Sequence, residues 1–350
     1  MKRLALAALL LTITATSAWS QHPQIATPSS FPTSAISANR PTMAPILAAR
    51  DAGTPMEIRR RRILGGHEFG WLKPRFSNNV SAVITRPSGR EARSFDHDHE
   101  LNSRVWLGVE NNCCNGIRAR YWYFDADSPT QVNFATAANA PISLTIQGAG
   151  GNFSRTATAN VGDAMTSNHH LEMRTIDLEA THRLPFARGD ALAAFGLRYA
   201  KIHQRAHAVA TDPGGSLTEL VCQDLDFQGF GPTLSGEMTL QACRFDFARS
   251  ALSCYAGART SLLFGQQEQE IVLVTGGGTT LQEDLHVQDD FLPVIEMSGG
   301  LQWMACPRGR LVWIARSGYR AESWLSAGGP VDVDSNIAVS GIHLSVAAIF

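Results

Sequence analysis

The amino-acid sequence predicts an all-β protein. The expected form is an antiparallel up-and-down transmembrane β-barrel of about ten strands, with eight or twelve also open, preceded by a disordered linker. Three observations carry this. First, the closing stretch alternates: Ile342, Leu344, Val346, Ala348 and Phe350 share one face, while His343, Ser345 and Ala347 occupy the other with Ile349. Second, the connections between candidate strands alternate long and short, as the loops and turns of an up-and-down outer-membrane barrel do. Third, beyond the N-terminal segment no apolar run reaches the roughly 18 residues that a membrane helix needs. A chain of this kind that crosses a bilayer must cross it with strands.

Residues 1–20 read as an export signal. Lys2 and Arg3 precede a mostly apolar core from Leu4 to Ala15, and the small residues Ala18 and Ser20 predict cleavage before Gln21. Residues 21–70 read as a disordered periplasmic linker rich in Pro, Ser and Thr, with too little apolar surface to offset the entropy of ordering it. The basic run Arg59, Arg60, Arg61 and Arg62 is taken as a solvated tail. Gly65-Gly66-His67-Glu68 lacks the second His of a zinc-protease motif.

Residues 71–350 are assigned to the barrel, with strands expected near 72–85, 103–110, 116–124, 171–184, 190–204, 225–242, 250–264, 291–305, 309–324 and 337–350. Long links are expected at 86–102, 125–170, 205–224 and 265–290, and short turns at Asn111–Asn115, Pro185–Gly189, Arg244–Arg249 and Cys306–Arg308. An even number of strands puts both ends of the barrel on the same side. Alternation within the strands separates an apolar face from a charged one. A charge facing hydrocarbon costs about 2–4 kcal/mol at the midplane, so the charged face is assigned to the lumen. The lumen set is Arg118, Arg120, Asp177, Glu179, Arg198, Glu237, Arg259, Glu296, Arg316, Arg320 and Glu322. Arg118 and Arg120 are expected to meet Asp177 and Glu179 across neighbouring strands. Trp71, Trp106, Tyr199, Trp303, Trp313 and Trp324 fall near strand ends, where interfacial girdles place aromatic rings.

The formal charge of −1 argues against a nucleic-acid partner, which would want a basic face. No cofactor and no resident metal are expected. His97, Asp98, His99 and Glu100 in the first long link could hold a divalent ion, as could His169 and His170 in the second, and His97, Asp98 and His169 could gather as a rim active site. They are read as solvated loop, since no nucleophile motif accompanies them. Six cysteines in an exported chain invite disulfides, and Cys243 and Cys254 flank one short turn. Strand parity points those two to opposite faces. Phe350 is expected to act as the assembly signal read by the barrel-assembly machinery through the last strand.

Several pieces together resemble a known family. They are Arg104-Val105-Trp106-Leu107-Gly108, Gly116 to Phe124, Ile176-Asp177-Leu178-Glu179-Ala180, Gly196-Leu197-Arg198-Tyr199, Phe230-Gly231-Pro232-Thr233-Leu234, Ala256 to Gly265 and Gly318 to Trp324. In order and placement they resemble the Legionella-type major outer membrane protein family of pore-forming β-barrels. The resemblance implies an outer-membrane, porin-like barrel passing small solutes through a charged lumen, with outer-membrane lipid around it. Ten strands lie near the size at which side chains fill a barrel, so a plugged or narrow lumen is expected. The alternatives are a non-conducting surface scaffold or adhesin with long outer loops and, less favoured, an outer-membrane hydrolase.

Overall fold

The computed structural model describes residues 62–148, 153–245, 250–276, 279–306 and 311–350. The export signal and most of the expected linker lie outside the described residues. The strands, in chain order, are β1 Arg62–Phe76, β2 Ala82–Arg86, β3 Gly89–Arg93, β4 Glu100–Glu110, β5 Asn115–Asp127, β6 Gln131–Phe134, β7 Ile142–Gln147, β8 Ser154–Ala159, β9 Ala164–Phe186, β10 Gly189–Thr211, β11 Leu217–Phe245, β12 Ser250–Thr275, β13 Thr279–Ala305, β14 Val312–Trp324 and β15 Ile337–Ile349. Ten of them, β1, β4, β5 and β9 to β15, form a closed antiparallel barrel in which each strand pairs with its neighbour in sequence order. β1 closes the ring against β15, and the Phe350 N–H donates to the Ile63 carbonyl at 2.9 Å, so both ends of the barrel lie together.

The first strand begins earlier than the sequence suggested: residues 62–70, assigned to the linker, form most of β1. Their glycines are close-approach positions. A Cβ on Gly66 would meet the Trp106 indole at 2.7 Å, and one on Gly70 would meet the Asn102 amide at 2.4 Å. Glycine here lets large neighbouring side chains lie over the backbone.

The outer wall is apolar where a bilayer requires it. Tyr199, Phe230, Phe264 and Phe291 are paired in succession across four strands and all point outward. Two residues farther along, the paired outward set is Lys201, Gln228, Gln266 and Asp289. The hydrocarbon band therefore ends at this aromatic line. In the other direction it runs through Leu197, Leu234, Met297, Leu344 and Val346, all more than half exposed. Phe230 to Leu240 matches the roughly 9–11 residues that a tilted strand uses to span a membrane. Trp71, Trp303 and Trp313 also face outward, but Trp106 and Trp324 do not join the girdle. Trp324 is wholly buried and Trp106 faces the lumen, because each falls on the inward parity of its strand.

Strands β9 to β13 are 23–29 residues long, against 11–13 for β4, β5, β14 and β15. They rise past the aromatic line as a tall wall. The long links expected at 205–224 and 265–290 are thus mostly continued strand. The link at 125–170 supplies β6, β7, β8 and the start of β9; β2 and β3 precede β4. A second, four-stranded sheet, β3-β2-β7-β8, packs against this wall. Ile142, Leu144, Ile146, Ala157 and Ala159 from the small sheet share a core with Ala208, Ala210, Val221 and Ile271 of the wall. The strands of the small sheet have only 5–6 residues, too short for independent stability, and it depends on that packing.

Candidate functional site: the filled lumen

All eleven residues assigned to the lumen point inward, and most are locked in ion pairs. Arg118 donates twice to Glu179 Oε2, at 2.9 and 2.8 Å, across the β5–β9 ladder. Arg198 on β10 grips Asp177 on β9 through Nε at 2.6 Å and Nη2 at 3.0 Å, and also contacts Glu296. Arg259 on β12 reaches Asp177 at 3.2 Å and Glu179. Arg320 on β14 holds Glu68 of β1, and Arg104 of β4 bridges Glu296 at 3.3 Å and Glu322. Sequence reading had missed two members: Glu68, hidden in a stretch taken for linker, and Arg104. These groups form one charged layer inside the hydrocarbon zone, and nearly all are less than a tenth exposed. Ions this far from water persist only when partners answer their charge and hydrogen-bonding capacity.

Above the charged layer, toward the long-loop end, the lumen turns apolar. Leu72, Trp122, Phe124, Met173, Phe227, Leu263, Leu292 and Trp324 form a continuous core across the barrel. The Trp122 ring stacks on Phe124 at 6.0 Å and on Trp324 at 6.3 Å, and the Arg104 guanidinium lies 5.4 Å from the Trp122 ring, joining the two layers. Each of these residues is at most 2% exposed, so the layer is closely packed. From the charged layer toward the short turns runs a cavity of about 190 Å³, lined by both charged and apolar side chains. There Arg316 binds Glu237 at 2.6 and 3.0 Å, and Arg183 spans Glu110 and Asp190. Tyr255 donates to or accepts from His343 Nε2 at 2.6 Å inside the same wall.

The histidines expected in loops do come together, but not as a solvated run. His97 Nε2 and His169 Nδ1 are 3.0 Å apart, both rings about 1% exposed, between Phe76 and Phe95. Burial, with Lys73 nearby, lowers the His97 pKa from its ordinary 6.5 to about 4. Burial and the facing His97 lower that of His169 as well. Neither ring hydrogen-bonds to a carboxylate among the described residues. Asp98 does not join them. On the outer wall, Asp125, Asp127 and His170 bring donor atoms within 4.8 Å of one another, and His170 Nδ1 lies 2.9 Å from Asp127. Cys243 and Cys254 form no disulfide; Cys243 pairs with Leu252 across the hairpin, and Cys254 with Leu240.

No protein-family profile and no curated protein sequence matches the chain. Among solved structures it is similar to the outer membrane protease OmpT from Escherichia coli, at 7% identity over 83% of this chain and 96% of that one, with a TM-score of 0.41. A mutant of the TodX monoaromatic hydrocarbon channel gives 7% identity over 83% and 90%, TM-score 0.23, and a Pseudomonas aeruginosa FadL homologue 8% over the same shares, TM-score 0.18. Likenesses this distant carry no inference about activity. The apolar outer band, the aromatic line and the ion-filled closed ring make the chain a transmembrane β-barrel of the outer-membrane type.

Proposed function

We propose that this protein is a non-conducting outer-membrane barrel whose working surface is the tall extramembrane tier, a scaffold and not an enzyme or an open porin. The observation that carries this reading is the double filling of the lumen by an ion-paired layer and an apolar layer, one above the other. A porin needs a continuous aqueous path, and 16–18 strands are the usual way to leave one. The resemblance to the Legionella-type family argues for a pore, and the buried Trp122–Trp324 layer argues against one in this chain. The wall and the small sheet packed on it instead present a structured platform, on the side that outer-membrane barrels turn outward. Single-channel recording on the refolded barrel in planar bilayers, with a liposome-swelling assay using small sugars, tests the reading. Flat current and no swelling are expected. Stable conductance steps would overturn it.

A further inference from the structure

Among the described residues the charged layer is not balanced within itself: its six guanidiniums face five carboxylates. The surplus can be located. Arg120 on β5 comes no closer to a carboxylate than 3.9 Å, from its Nε to Asp177 Oδ2, too long for a hydrogen bond. Asp177 is already committed, accepting from Arg198 at 2.6 and 3.0 Å and from Arg259 at 3.2 Å. Every other lumen arginine described above donates to at least one side chain. Arg120 donates to no described protein group, although its side chain is only 13% exposed. A guanidinium has five N–H donors and loses most of its hydration when enclosed to this degree. The balancing carboxylates lie lower, at the mouth, and Arg183 and Arg316 occupy them.

Arg120 lines the 190 Å³ cavity, as do Arg118 and Arg259. The cavity extends to Arg183, Asp190 and Ile349 beside the short turns, while the Trp122–Trp324 layer closes it above. We propose that this cavity is a binding site for a small oxyanion of the phosphate or sulfate class, held by the Arg120 fork and entered from the short-turn end. A planar guanidinium matches two oxygens of such an ion, and the surrounding arginines supply the remaining attraction. Chloride offers no second acceptor to the fork, and the carboxylates that also line the cavity, Glu68, Glu110, Asp190, Glu237 and Glu296, are each already paired with an arginine, which leaves the Arg120 charge as the one to be answered. The inference does not depend on whether the outer tier acts as a scaffold.

The test is a titration of the refolded barrel in detergent with inorganic phosphate at low ionic strength, chloride-matched, read by calorimetry and by ³¹P line broadening. One saturable site is expected, displaced by sulfate. Arg120→Gln should weaken it at least tenfold, and Arg120→Lys, which keeps the charge and loses the fork, should fall between. Because the guanidinium donates no hydrogen bond to a described protein group and stands 3.9 Å from an Asp177 that other arginines already hold, Arg120→Gln should fold as completely as the parent, judged by the gel shift between unheated and boiled samples. Loss of folding in Arg120→Gln would show that a protein group needs this cation and would overturn the proposal. So would the absence of saturable binding by the parent protein, or unchanged binding by folded Arg120→Gln.

Discussion

Replacing Arg198 with Met asks whether the middle of the barrel is dry. The side chain is 1% exposed, holds Asp177 through two hydrogen bonds and contacts Glu296. Met keeps much of the volume and removes the charge. Asp177 is left with Arg259 at 3.2 Å and the distant Arg120, and Glu296 with Arg104 at 3.3 Å and Arg259 at 3.8 Å. Two unit charges 4 Å apart interact by about 1 kcal/mol in water and about 4 kcal/mol at the lower effective dielectric of a protein. Breaking one partner out of a buried pair costs about 3–5 kcal/mol. The variant should therefore lose about 3–5 kcal/mol, measured by urea unfolding of the barrel in lipid vesicles. Arg205 provides the contrast: its pair with Asp224, at 2.6 Å, lies on the outer wall beyond the bilayer and is half exposed, so Arg205→Met should cost about 0–1 kcal/mol. If the two variants lose the same small amount, water screens the lumen, and the filled-barrel reasoning fails with it.

Leu234 points into hydrocarbon midway along the β11 band, so Leu234→Arg should destabilise the barrel in vesicles by about 2–4 kcal/mol; no loss would place that face in water. Trp324→Ala, in the apolar layer, should cost about 3–5 kcal/mol through the cavity it leaves, and paired with Trp122→Ala it should give the first measurable ion leak; a sealed double variant would show that the charged layer alone closes the barrel. Acid should loosen the outer tier. His97 is held near pKa 4 in the fold against an ordinary 6.5, so folding favours its neutral form; that stability is complete above about pH 6.5 and is lost as pH falls toward 4, by about 3 kcal/mol at 1.36 kcal/mol per tenfold change in proton affinity. The groups bearing on it are His169, Lys73, Asp96 and Asp127. Hydrogen exchange of the small sheet should accelerate between pH 7 and 4.5 in the parent and much less in His97→Gln; equal acceleration in both would assign the effect elsewhere.

The barrel was legible because hydrocarbon imposes a rule on every second residue. Where a strand is bounded by lipid on one face and by ion pairs on the other, as in Ile176 to Ala180 or Ala256 to Phe264, alternation is nearly complete, and the facing charges could be paired from sequence. That rule stops at the aromatic line. Above it the outward residues, such as Asp224, Asp226, Glu268 and Glu270, meet water while the inward ones meet a protein core, so the same strands continued where loops were expected. The first half of β1 was hidden for the opposite reason. Gly65, Gly66 and Gly70 resemble linker, yet two of them are small because Trp106 and Asn102 lie over them. Trp106 and Trp324 were placed at the interface on position along the strand, when parity put them inside. The His97–His169 contact joins residues 72 apart in the chain, and no local pattern announces it.

The tall wall gives the molecule two storeys with separate foundations. The lower is secured by ring closure and the bilayer; the upper rests on the Ile142–Leu144–Val221 core and, among the described residues, on no hydrogen-bonded circle of its own. Cleavage or sequence drift in the upper storey can accordingly be absorbed there, leaving the ring in the membrane shut. Shaving intact vesicles with a protease should strip the projecting hairpins and leave a resistant stump that still shifts on boiling.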